Sequence, residues 1–118
     1  MQEIEQIAEC LDALGNPIRL RLFTLLTRAG GDGRSVGQIQ ESLSIPASTL
    51  SHHLKLLEVV GLVNRGKQGT THMVSANIER MDSLVNFLTR ECCADNPKSA
   101  HAKHWHKECN EHSVNGLE

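Results

Sequence analysis

Aromatic residues are scarce in this sequence: its 118 residues include two Phe, one Trp and no Tyr. Proteins that hold single-stranded nucleic acid stack its bases on aromatic side chains, so the scarcity argues against that class. Long hydrophobic runs are also missing, and none approaches the roughly 18 residues that span a bilayer. The acidic N-terminus lacks the basic and apolar regions of a signal peptide. The sequence therefore predicts a cytoplasmic protein with no membrane partner.

An excess of positive charge is missing too, since 12 Lys plus Arg and 14 Asp plus Glu give a net charge of -2. This balance argues against a protein that coats nucleic acid or membranes without specificity. The charges are nevertheless unevenly distributed. Residues 1–16 carry four acidic and no basic side chains, whereas residues 17–72 carry seven basic and three acidic ones. A polyanion would therefore bind to the middle segment of the chain, residues 17–72.

The motifs of common enzyme classes are absent as well. No Ser-His-Asp arrangement, glycine-rich phosphate loop or carboxylate pair in a plausible pocket is recognisable, which predicts that the chain is not an enzyme. The cysteines and histidines leave open a metal carrier or a thiol reductase. By its length the chain is one domain, and a core of this size is often completed by a second subunit.

Helical periodicity is what the sequence does contain. Apolar residues at helical spacing predict an amphipathic first helix over residues 2–13. In the segment "GNPIRLRLFTLLTRAGG", Asn16 is a suitable N-cap, Pro17 suits the first helical position, and the glycine pair ends the helix. Ser35 and Gln38 have the spacing of a capping box, which predicts a short third helix.

A fourth helix is predicted from about Pro46 to Val60, with Gly61 suited to its C-terminal end. Three or four residues separate it from the third helix, which is typical of a helix-turn-helix. The segment "LVNRGKQGTTHMVSA" then predicts a basic hairpin, with strands at 62–65 and 70–75 around a turn at 66–69.

A fifth helix is predicted from about Asn77. It should end before Asn96, because the residue that precedes Pro97 disfavours the helical conformation. The remaining tail is polar and rich in histidine.

The fourth helix carries an apolar stripe, Leu50, Leu54 and Leu57, that must face the core. His53 lies beside this stripe, so we interpret it as a packing or buried hydrogen-bonding residue. The opposite face carries hydroxyls, an imidazole and an ammonium group, which suit base edges and phosphates in a major groove. Its members are Ser48, Ser51, His52 and Lys55, with Val59 near the end. The alternative is an ordinary solvated face.

The hairpin favours the first interpretation of that face. Arg65 and Lys67 lie on a projection directly after the helix, where they could grip phosphates or a minor groove. Such contacts would add affinity but no sequence preference.

The runs "LGNPIRLRLFTLL" and "ASTLSHHLKLLEVVGLVNRGKQGTTHMV" resemble the ArsR/SmtB family of bacterial metal-responsive repressors, over roughly residues 5–90. The resemblance implies a mainly α fold with a small β-hairpin: a homodimeric winged helix-turn-helix that binds double-stranded operator DNA until an inducer ion releases it. It implies that the first and fifth helices form the dimer interface, within a domain at 1–95 that precedes a tail at 96–118. The DNA contacts that it implies are Ser48, Thr49, Ser51, His52, Lys55, Arg65 and Lys67.

Inducer sites known in this family are poorly matched here. The third-helix segment "SVGQIQESL" has no cysteine where arsenic repressors carry Cys-Val-Cys. The fifth-helix zinc pattern of Asp and His is incomplete, because Leu84 stands two residues after Asp82. Relatives that sense persulfide pair a cysteine of the second helix with one of the fifth, and the second helix here has none. The sensing residues must therefore be sought elsewhere in the chain.

Cys92 and Cys93 are the remaining candidates. Their Cα atoms are about 3.8 Å apart across a trans peptide, shorter than the roughly 4.4 to 6.8 Å of an unstrained disulfide, so a bridge between them is disfavoured. In a regular helix the two side chains would diverge by about 100 degrees. The following Asp95-Asn96-Pro97 should fray the helix and let both sulfurs turn toward one ion.

Two thiolates select soft metal or metalloid centres. Trivalent arsenic or antimony favours three thiolates, with Cys109 as the predicted third ligand and Cys10 as the alternative. We otherwise interpret Cys10 as a small apolar residue at a helix interface. The sequence thus predicts a repressor released by As(III) or Sb(III). One alternative is a site for zinc, nickel or copper in the tail, and another is a thiol redox switch that pairs Cys92 or Cys93 with Cys109 or Cys10. The candidate tail ligands are His101, His104, His106, Cys109 and His112.

Overall fold

The computed structural model describes residues 2–96 and residue 98, so Cys109 and the tail histidines lie outside the described residues. In chain order its elements are α1 (Gln2–Leu14), α2 (Pro17–Ala29), a 3-10 turn (Gly30–Asp32), β1 (Arg34–Ser35), α3 (Val36–Leu43), α4 (Ala47–Val59), β2 (Val63–Gln68), β3 (Thr71–Ala76) and α5 (Ile78–Arg90). The mainly α fold with a small sheet is as predicted.

The chain divides into two compact units, with the boundary between Met81 and Asp82 inside α5. The first unit holds α1 to α4 and the sheet. The second begins with the remainder of α5 and continues through turns over residues 91–95. Searched over residues 2–96 and 98, the helices include none that is long and apolar enough to cross a membrane.

The predicted helix starts are confirmed. The Asn16 side chain accepts hydrogen bonds from the backbone N–H groups of Ile18 and Arg19 at 2.9 and 3.2 Å. At the start of α3, Ser35 and Gln38 cap each other's backbone N–H groups at 3.1 and 2.9 Å. These bonds satisfy donors that the first helical turn leaves without intrahelical partners.

A tight turn joins α3 to α4. Ser44 takes the left-handed conformation with φ 53°, and its N–H donates to the carbonyl of Gln40 at 2.8 Å. Pro46 then precedes the first turn of α4 in an extended conformation. The pair α3 and α4 therefore forms the predicted helix-turn-helix.

The sheet differs from the predicted hairpin in two respects. It has three strands in the order β1-β3-β2, and the two-residue strand β1 was not predicted. The predicted turn at 66–69 is wrong, because Gly66 pairs with Met73 inside the ladder and the chain reverses at Gly69 and Thr70. Gly69, with φ 68°, supplies the positive φ that a two-residue hairpin turn favours.

β1 lies against β3 through an unusually close approach. Arg34 pairs with Val74 and Ser35 with Met73. Gly33 precedes the strand with φ 70°, and a Cβ atom at this position would collide with the backbone carbonyl of Val74. Only glycine suits both the positive φ and the contact.

The core of the first unit lies between α1, α2, α4 and the sheet. Cys10 belongs to it: this side chain is 1% exposed, and its Sγ lies 3.6 Å from the carbonyl oxygen of Val60. Burial raises the pKa of the Cys10 thiol, which Arg80 partly opposes. Cys10 therefore packs as a small apolar residue, as expected. The largest fully buried side chains are Leu22, Leu26, Ile39, Leu50, Leu54, Leu57, Leu62 and Val74.

Candidate nucleic-acid interface and thiol pair

The outer face of α4 is polar, exposed and continuous. The leucine stripe is buried, as the periodicity predicts, and the residues on the opposite side of the helix point to solvent. The only acidic residue of the helix is Glu58, in its last turn. The first turns of α4 thus carry hydroxyl, imidazole and ammonium groups and no carboxylate of the same helix that would repel DNA. In a helix-turn-helix, these are the turns that contact base edges. Ser48, Ser51, His52 and Lys55 are exposed, and Thr49 is half-buried.

His53 is connected through Arg19 of α2 to the end of α1. Arg19 of α2 donates through Nε to the carbonyl oxygen of Ala13, in the last turn of α1, at 2.6 Å. Its Nη1 atom lies 3.3 Å from Nδ1 of His53. Because a guanidinium has only donors, Nδ1 must accept, so the imidazole is neutral with its proton on Nε2. The predicted buried hydrogen-bonding role of His53 is confirmed.

The pKa of His53 reflects the same contacts. Burial, followed by the positive charges of Arg19 and His52, lowers the pKa of His53 below its ordinary value. The neutral ring is therefore the form that fits between the helices. Sequence reasoning did not single out Arg19, because its partners lie 6 and 34 residues away and leave no local pattern.

The hairpin presents its two basic residues on one face of β2. Successive side chains of a strand point to opposite faces, so Arg65 and Lys67 lie on the same face of β2 as the buried Val63. Arg65 lies 4.0 Å from a carboxylate oxygen of Glu58, with both side chains 36% exposed. At this exposure the ion pair adds little stability, and it places an acidic side chain next to Arg65.

Beyond α5 the chain turns back on itself at the cysteines. The N–H of Cys92 donates to the carbonyl of Thr89 at 3.0 Å, and Cys93 takes the left-handed conformation with φ 60°. This conformation is uncommon for a residue with a side chain. It brings the two sulfur atoms within 3.5 Å of each other, whereas in a regular helix the two side chains would point in different directions.

Cys93 affects the protonation of Cys92. The hydrogen bond with Cys93 raises the pKa of the Cys92 thiol, and partial desolvation and the charge of Cys93 act in the same direction. A sulfur separation of 3.5 Å is well beyond the roughly 2.05 Å of a disulfide, so the pair is not joined to itself.

The predicted sensing residues are only partly brought together. Cys92 and Cys93 are adjacent in space, whereas Cys10 lies in the core of the first unit. Cys109 falls outside the described residues. Within the part of the chain that the structure describes, no three ligand-type side chains (His, Cys, Asp or Glu) cluster as a metal site would require.

The chain is similar in sequence to known transcriptional regulators. A family model described as a helix-turn-helix domain matches residues 14–65. An HTH-type transcriptional regulator of Methanocaldococcus jannaschii is 32% identical over 88 residues, which cover 75% of this chain and 97% of that protein. The arsenical resistance operon repressor of Staphylococcus xylosus is 29% identical over 106 residues, which cover 80% of this chain and 94% of that protein.

Solved structures agree with the described fold. An ArsR-like transcriptional regulator from Rhodococcus sp. RHA1 superimposes with a TM-score of 0.72 at 21% identity, over 88% of this chain and 95% of that chain. A homodimeric winged helix-turn-helix DNA-binding domain from Mycobacterium bovis, a possible ArsR-family regulator, gives a TM-score of 0.58 at 27% identity, over 75% and 82% of the two chains.

Proposed function

The chain belongs to the ArsR family of winged helix-turn-helix transcriptional regulators, a family of regulators and not of enzymes, and on that premise we propose a specific role. It is a homodimeric repressor of the cytoplasm that binds double-stranded operator DNA. Trivalent arsenic or antimony, held by Cys92 and Cys93 with Cys109 as third ligand, releases it from the DNA.

The exposed face of α4 supports binding in the major groove. Ser48, Thr49, Ser51, His52 and Lys55 would face base edges and nearby phosphates, and Arg65 and Lys67 of the wing would hold the backbone. Two such helices, one from each subunit, must lie about 34 Å apart to enter successive major grooves.

Exposed apolar residues on α1 and α5 support a homodimer. Large side chains such as Ile4 and Leu11 on α1, and Val85 and Leu88 on α5, lie open to solvent in the single chain. A second copy would bury them, and the Mycobacterium bovis relative is itself described as homodimeric. These are the two helices that the family resemblance assigns to the interface.

The 3.5 Å separation of the two sulfurs is the observation that carries the inducer proposal. For comparison, Zn–S bonds of about 2.3 Å at a tetrahedral angle place two sulfurs about 3.8 Å apart. A pyramidal centre with narrower angles brings them closer. The left-handed conformation of Cys93 therefore presents both sulfurs at a spacing that one thiophilic centre can bridge.

The protonation of the pair favours arsenic over a divalent metal. Each thiol would replace one hydroxyl of arsenous acid, and the displaced hydroxyl leaves with the thiol proton as water. This exchange releases no net proton, so the raised pKa of Cys92 does not oppose it. A divalent cation must instead expel the proton from every thiol that it binds.

Release from DNA requires coupling between the two sites. A coupling free energy of about 1 to 3 kcal/mol, typical of allosteric proteins, weakens operator binding about 5- to 150-fold. Because the cysteines directly follow α5, ion capture at the end of this helix would bias the spacing of the two reading helices. By linkage, operator DNA must weaken arsenite binding by the same factor.

The proposal is tested by mobility shift on the DNA upstream of the chain's own gene, with arsenite, antimonite, zinc, copper and peroxide added in turn. We expect arsenite and antimonite to release the DNA, and Cys92→Ser or Cys93→Ser to abolish this response without changing basal DNA binding. Ala94→Ser is the matched control, because it adds a hydroxyl beside the pair and keeps both thiols.

The same variants distinguish the other readings. Cys109→Ser should lose the response, whereas Cys10→Ala should retain it. Retention by Cys109→Ser with loss by Cys10→Ala would make Cys10 the third ligand. Release by zinc alone, blocked by His104→Ala, would replace the arsenic proposal with a zinc sensor, and release by peroxide alone would replace it with a redox switch.

A further inference from the structure

A groove on the outer side of α2 is separate from both sites described above. Its volume is about 670 Å³, and its lining includes Pro17, Leu20, Arg21, Leu25, Arg28 and Arg34. Ligand pockets in proteins span about 300 to 1,000 Å³, so the groove has the size of a site for a small organic molecule.

Three guanidinium groups line this groove. Arg21 and Arg28 are two helical turns apart and therefore share one face of α2, while Arg34 reaches the groove from β1. Within residues 2–96 and 98, no carboxylate forms an ion pair with Arg21 or Arg28. Arg34 donates one N–H to the carbonyl of Gly33 at 2.9 Å and keeps further donors.

Apart from the hydroxyl of Thr24, the rest of the lining is apolar. Leu20 is 49% exposed although it lies beside Arg21, and Leu25 and Pro17 extend the apolar surface. Arginines that form no ion pair among the described residues are costly next to the exposed Leu20 on a surface that binds nothing, because like charges repel and an exposed leucine remains hydrated. A ligand with a charged head and an apolar body would relieve both costs.

We propose that this groove binds an amphipathic organic anion, a carboxylate with an acyl or aryl body, as a second effector of the regulator. The carboxylate accepts paired N–H bonds from the guanidinium groups, whose planar geometry matches it. The apolar body covers Leu20, Leu25 and Pro17. The phosphates of a DNA backbone would pair with the guanidinium groups but leave the leucines exposed. The lining therefore favours a small amphipathic anion over DNA.

The position of Arg34 connects this site to the reading helices. Arg34 is followed directly by Ser35, the N-cap of α3, and it pairs with Val74 of β3. An anion held between α2 and β1 would therefore fix the start of the helix-turn-helix and the base of the wing together. Operator affinity should change when the groove is filled, independently of the cysteines.

The test is calorimetric titration of the full-length protein with octanoate, octanol and inorganic phosphate. We expect octanoate to bind with one site per chain at millimolar concentration or below, and the other two probes to bind at least about tenfold more weakly. Arg21→Gln and Arg28→Gln should each weaken octanoate binding about tenfold, while Arg21→Lys should be intermediate. Lys98→Gln removes the same charge outside the groove and should bind like wild type.

Other outcomes would overturn the proposal. Absence of octanoate binding, or equal binding by octanol, would exclude an anion-specific apolar site. If octanoate fails to bind and the arginine variants lower the sedimentation mass, the groove is a contact between subunits. If it fails to bind and those variants weaken operator binding with a shallower salt dependence, the arginines contact phosphates instead. In each case the arsenite response and its cysteine variants remain a separate measurement.

Discussion

At the scale of single residues, one arginine fixes the orientation of the reading helix. Arg19 joins a carbonyl at the end of α1 to the buried imidazole of His53 on α4. A protonated imidazole could not accept the bond from Arg19 and would place two positive charges together in the core. The helix that we propose to read DNA, α4, is therefore held by a contact that depends on a neutral histidine.

We expect acid to destabilise the protein through His53. Because the pKa of His53 is lowered in the folded state, the unfolded state binds the proton first, and stability falls as the pH drops below about 6.5. Thermal unfolding of wild type and His53→Gln between about pH 7.5 and about pH 5.5 should show a smaller loss of melting temperature in the variant. Its amide oxygen accepts from Arg19 but does not titrate.

His72→Gln provides the matched control, since it removes an exposed histidine from β3 and should keep the wild-type pH dependence. An unchanged slope in His53→Gln would show that acid acts through other groups.

At the scale of elements, the wing and the end of α4 work as one surface. The ion pair between Arg65 and Glu58 places a negative charge next to the wing's first cation. Lys67 forms no ion pair with a carboxylate among the described residues, and it lies farther along the hairpin. The two cations should therefore contribute unequally to DNA affinity.

The salt dependence of DNA binding measures this contribution. Lys67→Ala should reduce the slope of log affinity against log salt by about 0.9, the value for one phosphate contact, and weaken all sequences alike. Glu58→Gln should act in the opposite sense and raise affinity at low salt, because it removes the negative charge beside Arg65. Slopes equal to wild type in both variants would mean that the wing does not contact phosphates.

Elements with local signals were predictable from the sequence, and the others were not. Asn16 with Pro17, and Ser35 with Gln38, mark helix starts within four residues, so α2 and α3 were placed correctly. β1 has only two residues and exists because Gly33 lets it approach β3, which no short pattern reports. The hairpin turn was misplaced because Gly66 resembles a turn residue, although it pairs within the ladder.

The candidate site shows the same division. Exposure of the polar face of α4 followed from the period of its leucines. The adjacency of the sulfurs depends on a positive φ at Cys93, which the predicted fraying permitted but did not determine. The arginine groove is lined by residues of both α2 and β1. Because β1 was not predicted, the groove could not be predicted either.

At the scale of the whole molecule, the described part of the chain leaves apolar surface on α5 that a second copy would cover. Val85 is 51% exposed and Leu88 54% exposed on α5, in a chain whose charged residues are 22% of the total. Burial of such side chains contributes about 1.5 to 3 kcal/mol each, which is enough for several of them to hold two copies together.

We therefore expect Val85→Asp to dissociate the dimer. Sedimentation equilibrium should give the mass of one 13.0 kDa chain for the variant and twice that mass for wild type. Operator binding should fall as well, because one subunit reads only half of a palindrome. Asn86→Asp introduces the same charge at the adjacent exposed residue and should remain dimeric. A dimeric Val85→Asp would place the interface elsewhere, and a monomeric wild type would contradict the dimer itself.

The crowding of Gly33 against Val74 has a practical consequence for mutational screens. Any other amino acid at position 33 would have to adopt an unfavourable positive φ, and its Cβ would collide with the carbonyl oxygen of Val74. Almost all replacements there should therefore abolish function, because they prevent β1 from pairing with β3. None of them alters a thiol or the outer face of α4. In a saturation-mutagenesis library, variants at position 33 thus serve as an internal loss-of-function reference. Variants that lose only sensing or only promoter binding can be compared with them.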